Sequence, residues 1–129
     1  MYFRSFIRLT NFSREHILQQ QIIHDVNKRL PYTLLCKQEW EVVPGHSQFG
    51  KGDLVFKQPG LENYLVIETK YIRTDSGKAA RTARRMSRKK VNEQALRYGA
   101  AFKQLNPQAR VEVATFTNES GLFKLPRRL

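Results

Sequence analysis

Cysteine is nearly missing from this chain. Cys36 stands alone, so no disulfide can form within it and stability has to come from packing. A lone cysteine points to an intracellular setting, cytoplasm or nucleus. The three histidines, His16, His24 and His46, lack a zinc-ligand spacing, and one cysteine cannot complete a zinc site. Long apolar runs are missing too. The first residues, MYFRSFIRL, are interrupted by Arg4 and Arg8 and hold no apolar stretch of signal-peptide length, and no segment approaches a membrane span. Acid is the third scarcity: 11 Asp and Glu stand against 23 Lys and Arg, a net charge of +12. That balance favours polyanions, whether DNA, RNA or an acidic membrane surface.

What is present describes a globular domain. Forty per cent of the 129 residues are hydrophobic, with eight Phe, five Tyr and one Trp. One domain of this size buries a core without disulfides or a structural metal. Its charge is uneven. From Lys70 to Lys90 there are nine Lys or Arg and one acid, Asp75, so +8 of the +12 lies in one short segment. A solvated helix face is the plain alternative, but such a face usually mixes both signs. In KAARTARRMSRKK, residues Arg81, Arg84, Arg85 and Arg88 fall at i, i+3, i+4 and i+7 and make one stripe on a helix. With Lys89 and Lys90 they suit phosphate contacts, which position a nucleic acid without reading its sequence. RRMSRKK also reads as a nuclear localisation signal.

The coarse layout is a mixed α/β domain, helices flanking a central sheet. Ser13 can cap a first helix with Glu15 in its first turn, and Leu18, Ile22, Val26 and Leu30 form its apolar stripe up to Pro31. Strands are expected over 34–43, 53–57 and 64–72, spaced as an antiparallel meander. A second helix runs over about 79–105, with Val91, Ala95, Tyr98, Phe102 and Leu105 on its buried side. A fourth strand covers 111–116, and GLFKL is a short edge strand before the basic end, Arg127 and Arg128. Cys36 alternates with hydrophobic residues and reads as core. Trp40, Tyr2, Phe3 and Phe6 read as packing groups, with base stacking still open for the N-terminal ones.

One strand is odd. NYLVIETKYI begins as a buried strand yet carries Glu68 and Lys70 in its middle. If the turn of the preceding hairpin centres on Gly60 and Leu61, Val55 faces Val66, Phe56 faces Leu65 and Asp53 faces Glu68. Opposed carboxylates about 5 Å apart repel. One of them takes up a proton, or a cation sits between them. Lys70 shares the face of Glu68, but a flexible amine is a poor bridge for two carboxylates. A hard divalent ion suits the pair better, and magnesium commonly uses one or two carboxylates beside water and phosphate. Held there, it polarises a phosphoryl oxygen and acidifies water. A solvent-facing hairpin with ordinary ion pairs is the competing reading.

GKGDLVF followed after one hairpin by ETK resembles the catalytic core of the PD-(D/E)xK nuclease superfamily. That restriction-endonuclease-like core is a helix, three antiparallel strands, a helix and a further strand, and the resemblance spans about 13–117. EQALRYG is similar to the Q-x-x-x-Y motif of the branch holding the RecB nuclease domain and lambda exonuclease. The resemblance implies that Asp53 and Glu68 are metal ligands completed by the Thr69 carbonyl, and that Lys70 is the catalytic lysine. It places Gln94 beside the site, Tyr98 near the nucleic-acid backbone, and Glu15 in the role of the first-helix glutamate, for which a helix-dipole carboxylate is the alternative. It implies Mg2+, with Mn2+ substituting. The residue before Asp53 is Gly52 rather than proline, and the size is nearer that of small Holliday-junction resolvases.

The expected function is therefore a magnesium-dependent DNA nuclease, structure- or end-directed, in repair, recombination or replication. DNA is the expected partner, with no membrane and no small-molecule substrate. A resolvase-like role favours a dimer and a processive exonuclease a ring. Two alternatives stand beside it: a non-catalytic DNA- or RNA-binding module on the same fold, and a basic RNA-binding protein of unrelated fold.

Overall fold

The computed structural model describes residues 11–29 and 31–128. Leu30 and the aromatics Tyr2, Phe3 and Phe6 lie outside the described residues. Helix α1 spans Asn11–Arg29, followed by strands β1 (Leu34–Glu41), β2 (Lys51–Lys57) and β3 (Asn63–Lys70). Helix α2 spans Lys78–Leu105, and β4 (Arg110–Thr117) and β5 (Gly121–Arg128) complete the order. The fold is α+β: two helices and a five-stranded mixed sheet in the order β1-β2-β3-β4-β5. The meander β1-β2-β3 is antiparallel, β4 lies parallel to β3 across the α2 connection, and β5 returns antiparallel. A parallel neighbour needs such a crossover because a tight turn cannot bring the chain back in the same direction.

Strand alternation divides the core into two layers. Leu54, Phe56, Leu65 and Ile67 point to one face and pack on Leu18, Ile22 and Val26 of α1. Val55, Val66, Val111 and Val113 point to the other and pack on Ala95, Tyr98 and Phe102 of α2. Both faces of the central strands are thus covered, which is why β2 and β3 carry the unbroken apolar stretches LVF and YLVI. Burying each such side chain is worth about 1.5–3 kcal/mol. The hairpin register is the expected one for Val55 opposite Val66 and Phe56 opposite Leu65, but the ladder stops at Leu54 and Ile67, so Asp53 and Glu68 are not the ladder partners expected.

Three readings change. Cys36 is exposed, because β1 is exposed on both faces from Leu34 to Glu39. A register shift between Leu35 and Lys37 also bends this edge strand. Leu105, at the end of α2, is half exposed. Ser13 lies inside α1 rather than capping it, and the first turn of that helix holds no acid. Glu15 is therefore not a first-turn carboxylate stabilised by the helix N-terminus.

Two glycines make room for aromatic rings. Trp40 pairs with Gly52 across β1 and β2, and a Cβ on Gly52 would fall within van der Waals overlap of the indole nitrogen and ring carbons. Gly50, at φ +116°, lies the same way against the Tyr98 hydroxyl. Trp40 in turn meets Tyr98 and Phe102 edge-on, with ring centroids 6.4 and 5.8 Å away. The glycine before Asp53 thus has a packing cause: any side chain there displaces the tryptophan. Gly52→Ala should lower stability by about 1–3 kcal/mol, the usual range for overpacking. Urea denaturation checks this, and an unchanged midpoint would mean that the ring has space to move.

Candidate functional site

The sheet opens where the two odd carboxylates stand. Pairing between β2 and β3 ends at Leu54 and Ile67. Beyond that point β2 stays with β1 as far as Lys51, and β3 stays with β4 as far as Lys70. Backbone groups facing the gap still need partners, because an unpaired buried amide is costly. The two carboxylates supply them. Asp53 N–H donates to Glu68 Oε2 at 2.9 Å, while Thr69 N–H and Oγ1 donate to Asp53 Oδ2 at 2.7 and 2.8 Å. The side chains thus continue across the gap what the ladder does below it.

Electrostatically the pair is under tension. Glu68 is 3% exposed. Burial first, and the neighbouring Asp53 charge second, push its pKa up to about 9, against the pull of the Asp53 amide. Asp53 is also raised, by burial, with the hydrogen bonds from Thr69 opposing and the charges of Glu15 and Glu39 adding. Among the described residues, neither Asp53 Oδ1 nor Glu68 Oε1 has a hydrogen bond, so each keeps an oxygen for a proton or a cation. Among those residues no group of three His, Cys, Asp or Glu is placed to hold a metal together. Two carboxylates with free oxygens nonetheless fit magnesium, which commonly takes no more from the protein.

Lys70 is where both helices meet. Its Nζ lies 3.4 Å from Glu15 Oε2 of α1, and the same oxygen accepts from Tyr71 N–H at a long 3.5 Å. Arg14 lies over the Tyr71 ring, 5.0 Å from its centroid. On the other side Lys70 lines an open groove of about 760 Å³ with Arg85, Met86, Ser87, Lys89, Lys90 and Glu93 of α2. Asn118 fixes the exit of the strand. Its amide accepts from Ile72 N–H at 2.6 Å and donates to Ile72 O at 2.9 Å.

Arg81, Arg84, Arg85 and Arg88 lie on one continuous helix, but they are engaged differently. Arg88 makes a bidentate pair with Glu119, at 2.7 and 2.8 Å, and Arg84 donates to the Asp75 carbonyl. Arg81 is exposed and outside the groove. Arg85, Lys89 and Lys90 are the members that line it. Gln94 donates to the Tyr98 hydroxyl at 3.0 Å. Tyr98 is buried under Trp40 and against Gly50, so its role in the fold is to pack the second core layer. Among the described residues no hydrogen bond joins Gln94 to Asp53, Glu68 or Lys70.

Sequence reasoning missed Glu39, Gln19 and Asn118. Glu39 lies between the β1–β2 pairs Gln38–Leu54 and Trp40–Gly52, opposite Asp53. The alternation of β1 gave a signal for it only once the bulge was known. Gln19 and Asn118 carry none. No helix among the described residues is long and apolar enough to cross a membrane. No family model, curated protein or solved structure matches the chain.

The Glu68 environment has a pH signature. Between its ordinary 4.5 and about 9 the folded protein keeps a proton that the unfolded chain has lost. Stability should therefore fall as pH rises through that window and level off above it. Urea midpoints measured in EDTA from pH 5 to 9 should show the fall, and Glu68→Gln should remove most of it. A flat wild-type profile would mean that Glu68 is already ionised near neutrality.

Proposed function

We propose that the chain is a magnesium-dependent deoxyribonuclease of the PD-(D/E)xK type. The observation that supports this most is the buried Asp53–Glu68 pair, set at a gap in the sheet beside Lys70 and a basic groove. In this reading Asp53, Glu68 and the Thr69 carbonyl hold Mg2+ or Mn2+, which supplies Lewis acidity for phosphodiester hydrolysis. Lys70, its ammonium held by Glu15, offers a proton or positive charge to the reacting phosphate. Arg85, Lys89 and Lys90 bind phosphates along the groove and leave base sequence unread, in keeping with structure- or end-directed cleavage in repair, recombination or replication. Glu93 in the same groove keeps phosphates away from its own end.

A binding module without catalysis is the second reading. It draws on the fact that both carboxylates already have a structural task, satisfying the backbone of the gap. Incubation with linear, nicked and branched DNA, in magnesium and in EDTA, separates the two. Metal-dependent cleavage is expected, with Lys70→Ala still binding DNA but losing cleavage by a hundredfold or more, on the order of a lost general acid–base group. Binding of every substrate without cleavage would favour the module. In either case Arg85→Ala with Lys89→Ala should weaken binding and reduce the slope of log K against log salt by about two. An unchanged slope would take the groove out of the interface.

A further inference from the structure

The β1–β2 connection, residues 42–50, lies beyond the carboxylate pair and presents an aromatic ring to solvent. Phe49 is 62% exposed. A single exposed apolar side chain is ordinary, but this one has a companion and a fixed seat. The His46 ring stands beside it, with centroids 5.8 Å apart and planes inclined by 56°, and Gln48 Nε2 lies 3.3 Å from His46 Nδ1. The backbone beneath is closed by its own bonds. Val42 N–H donates to Gly50 O, His46 N–H to Val43 O, Phe49 N–H to His46 O and Gly50 N–H to Ser47 O, while Gly45 N–H donates to Glu41 Oε1 at 2.8 Å. Gly50 is seated against the Tyr98 hydroxyl, which ties the loop to the helix that carries the basic groove. A loop fixed in this way holds its ring outward with little further ordering cost when a ligand arrives.

Position and charge select the occupant. Phe49 comes four residues before Asp53, so their Cα atoms are no more than about 14 Å apart. Lys51, exposed, lies between them. With Arg85, Lys89 and Lys90 in the groove and a net charge of +12, this end of the molecule suits a polyanion. A polyanion that also carries flat apolar faces is a nucleic acid, and its unpaired bases offer those faces to aromatic side chains. We propose that Phe49 and His46 form a stacking platform for an unpaired base of the bound strand. The preferred substrate then carries single-stranded nucleotides beside the carboxylate pair, at a frayed end or a branch. In a paired duplex each base is covered by its neighbours, so such DNA gains the phosphate contacts of the groove and no stacking. The inference rests on nucleic-acid binding, which the nuclease and the binding-module readings share, and deepens it by naming the class of substrate.

The test is the affinity of the full chain, in EDTA so that nothing is cut, for a short DNA single strand and for a blunt duplex of the same sequence. A 2-aminopurine in the strand reports stacking by its quenching. Phe49→Ala should weaken single-strand binding roughly tenfold, as expected for one lost base–aromatic stack, relieve the quenching, and leave the duplex affinity unchanged. The slope of log K against log salt should not move, because the ring neutralises no phosphate. Phe49→Trp should keep both the affinity and the quenching, while Phe49→Leu, apolar but without a flat ring, should lose them. The ring is exposed, so all three variants should keep the wild-type Tm and a loss of binding cannot be misfolding. If Phe49→Ala binds the single strand as tightly as wild type, or loses strand and duplex alike, the inference is overturned and nucleic-acid binding stands. If wild type binds neither DNA, the inference falls together with both readings of the function. If wild type self-associates and Phe49→Ala disperses it with single-strand affinity intact, the ring is a contact between copies and the inference is overturned.

Discussion

Two strands that pair tightly through their apolar halves separate at Leu54 and Ile67, and most of what is unusual here follows from how that separation is sustained. A sheet cannot open in a buried place unless the freed amides find acceptors. Asp53 and Glu68 provide them, each accepting from the backbone of the other's strand or its neighbour. The arrangement sets two like charges side by side, out of water. Burial and the Asp53 charge push the Glu68 pKa up to about 9, and a proton or a cation at the pair removes the repulsion. The same gap lets side chains from both faces of the sheet reach one place.

Lys70 shows the consequence. In a closed sheet it would serve one face. At the open end it touches Glu15 of α1 and lines a groove with α2. The groove is formed by only part of the basic helix. Arg84 and Arg88 are held by the Asp75 carbonyl and Glu119, so they brace α2 against the ends of the strands. Arg85, Lys89 and Lys90 remain to face a partner. Gly50 and Gly52 belong to the same construction. By giving Tyr98 and Trp40 room, they let the second core layer close directly beneath the residue that carries the Asp53 carboxylate.

The central hairpin was legible because its information is short-range. Apolar alternation in LVF and YLVI, and a turn at Gly60, leave few registers that bury both runs, and the observed one is the simplest. The stripe Leu18, Ile22, Val26 and the buried series Val91, Ala95, Tyr98, Phe102 were legible for the same reason. Cys36 was not, since apolar alternation cannot tell a covered strand from an edge strand exposed on both faces. Leu105 was not, since periodicity cannot tell where a helix outruns the surface it packs on.

From the residues alone follow the element order, the two core stripes, the concentration of positive charge and the nearness of Asp53 to Glu68 at the end of a hairpin. Each depends on spacing within a few turns or on one tight connection. The meeting of Glu15 with Lys70, the neutralisation of Arg88 by Glu119, and the gathering of Gln19 and Glu39 around Asp53 depend on contacts between distant elements. No local pattern encodes these. They arise when two helices close on opposite faces of a sheet that is itself split at one end, and that packing assigns each polar residue its neighbour.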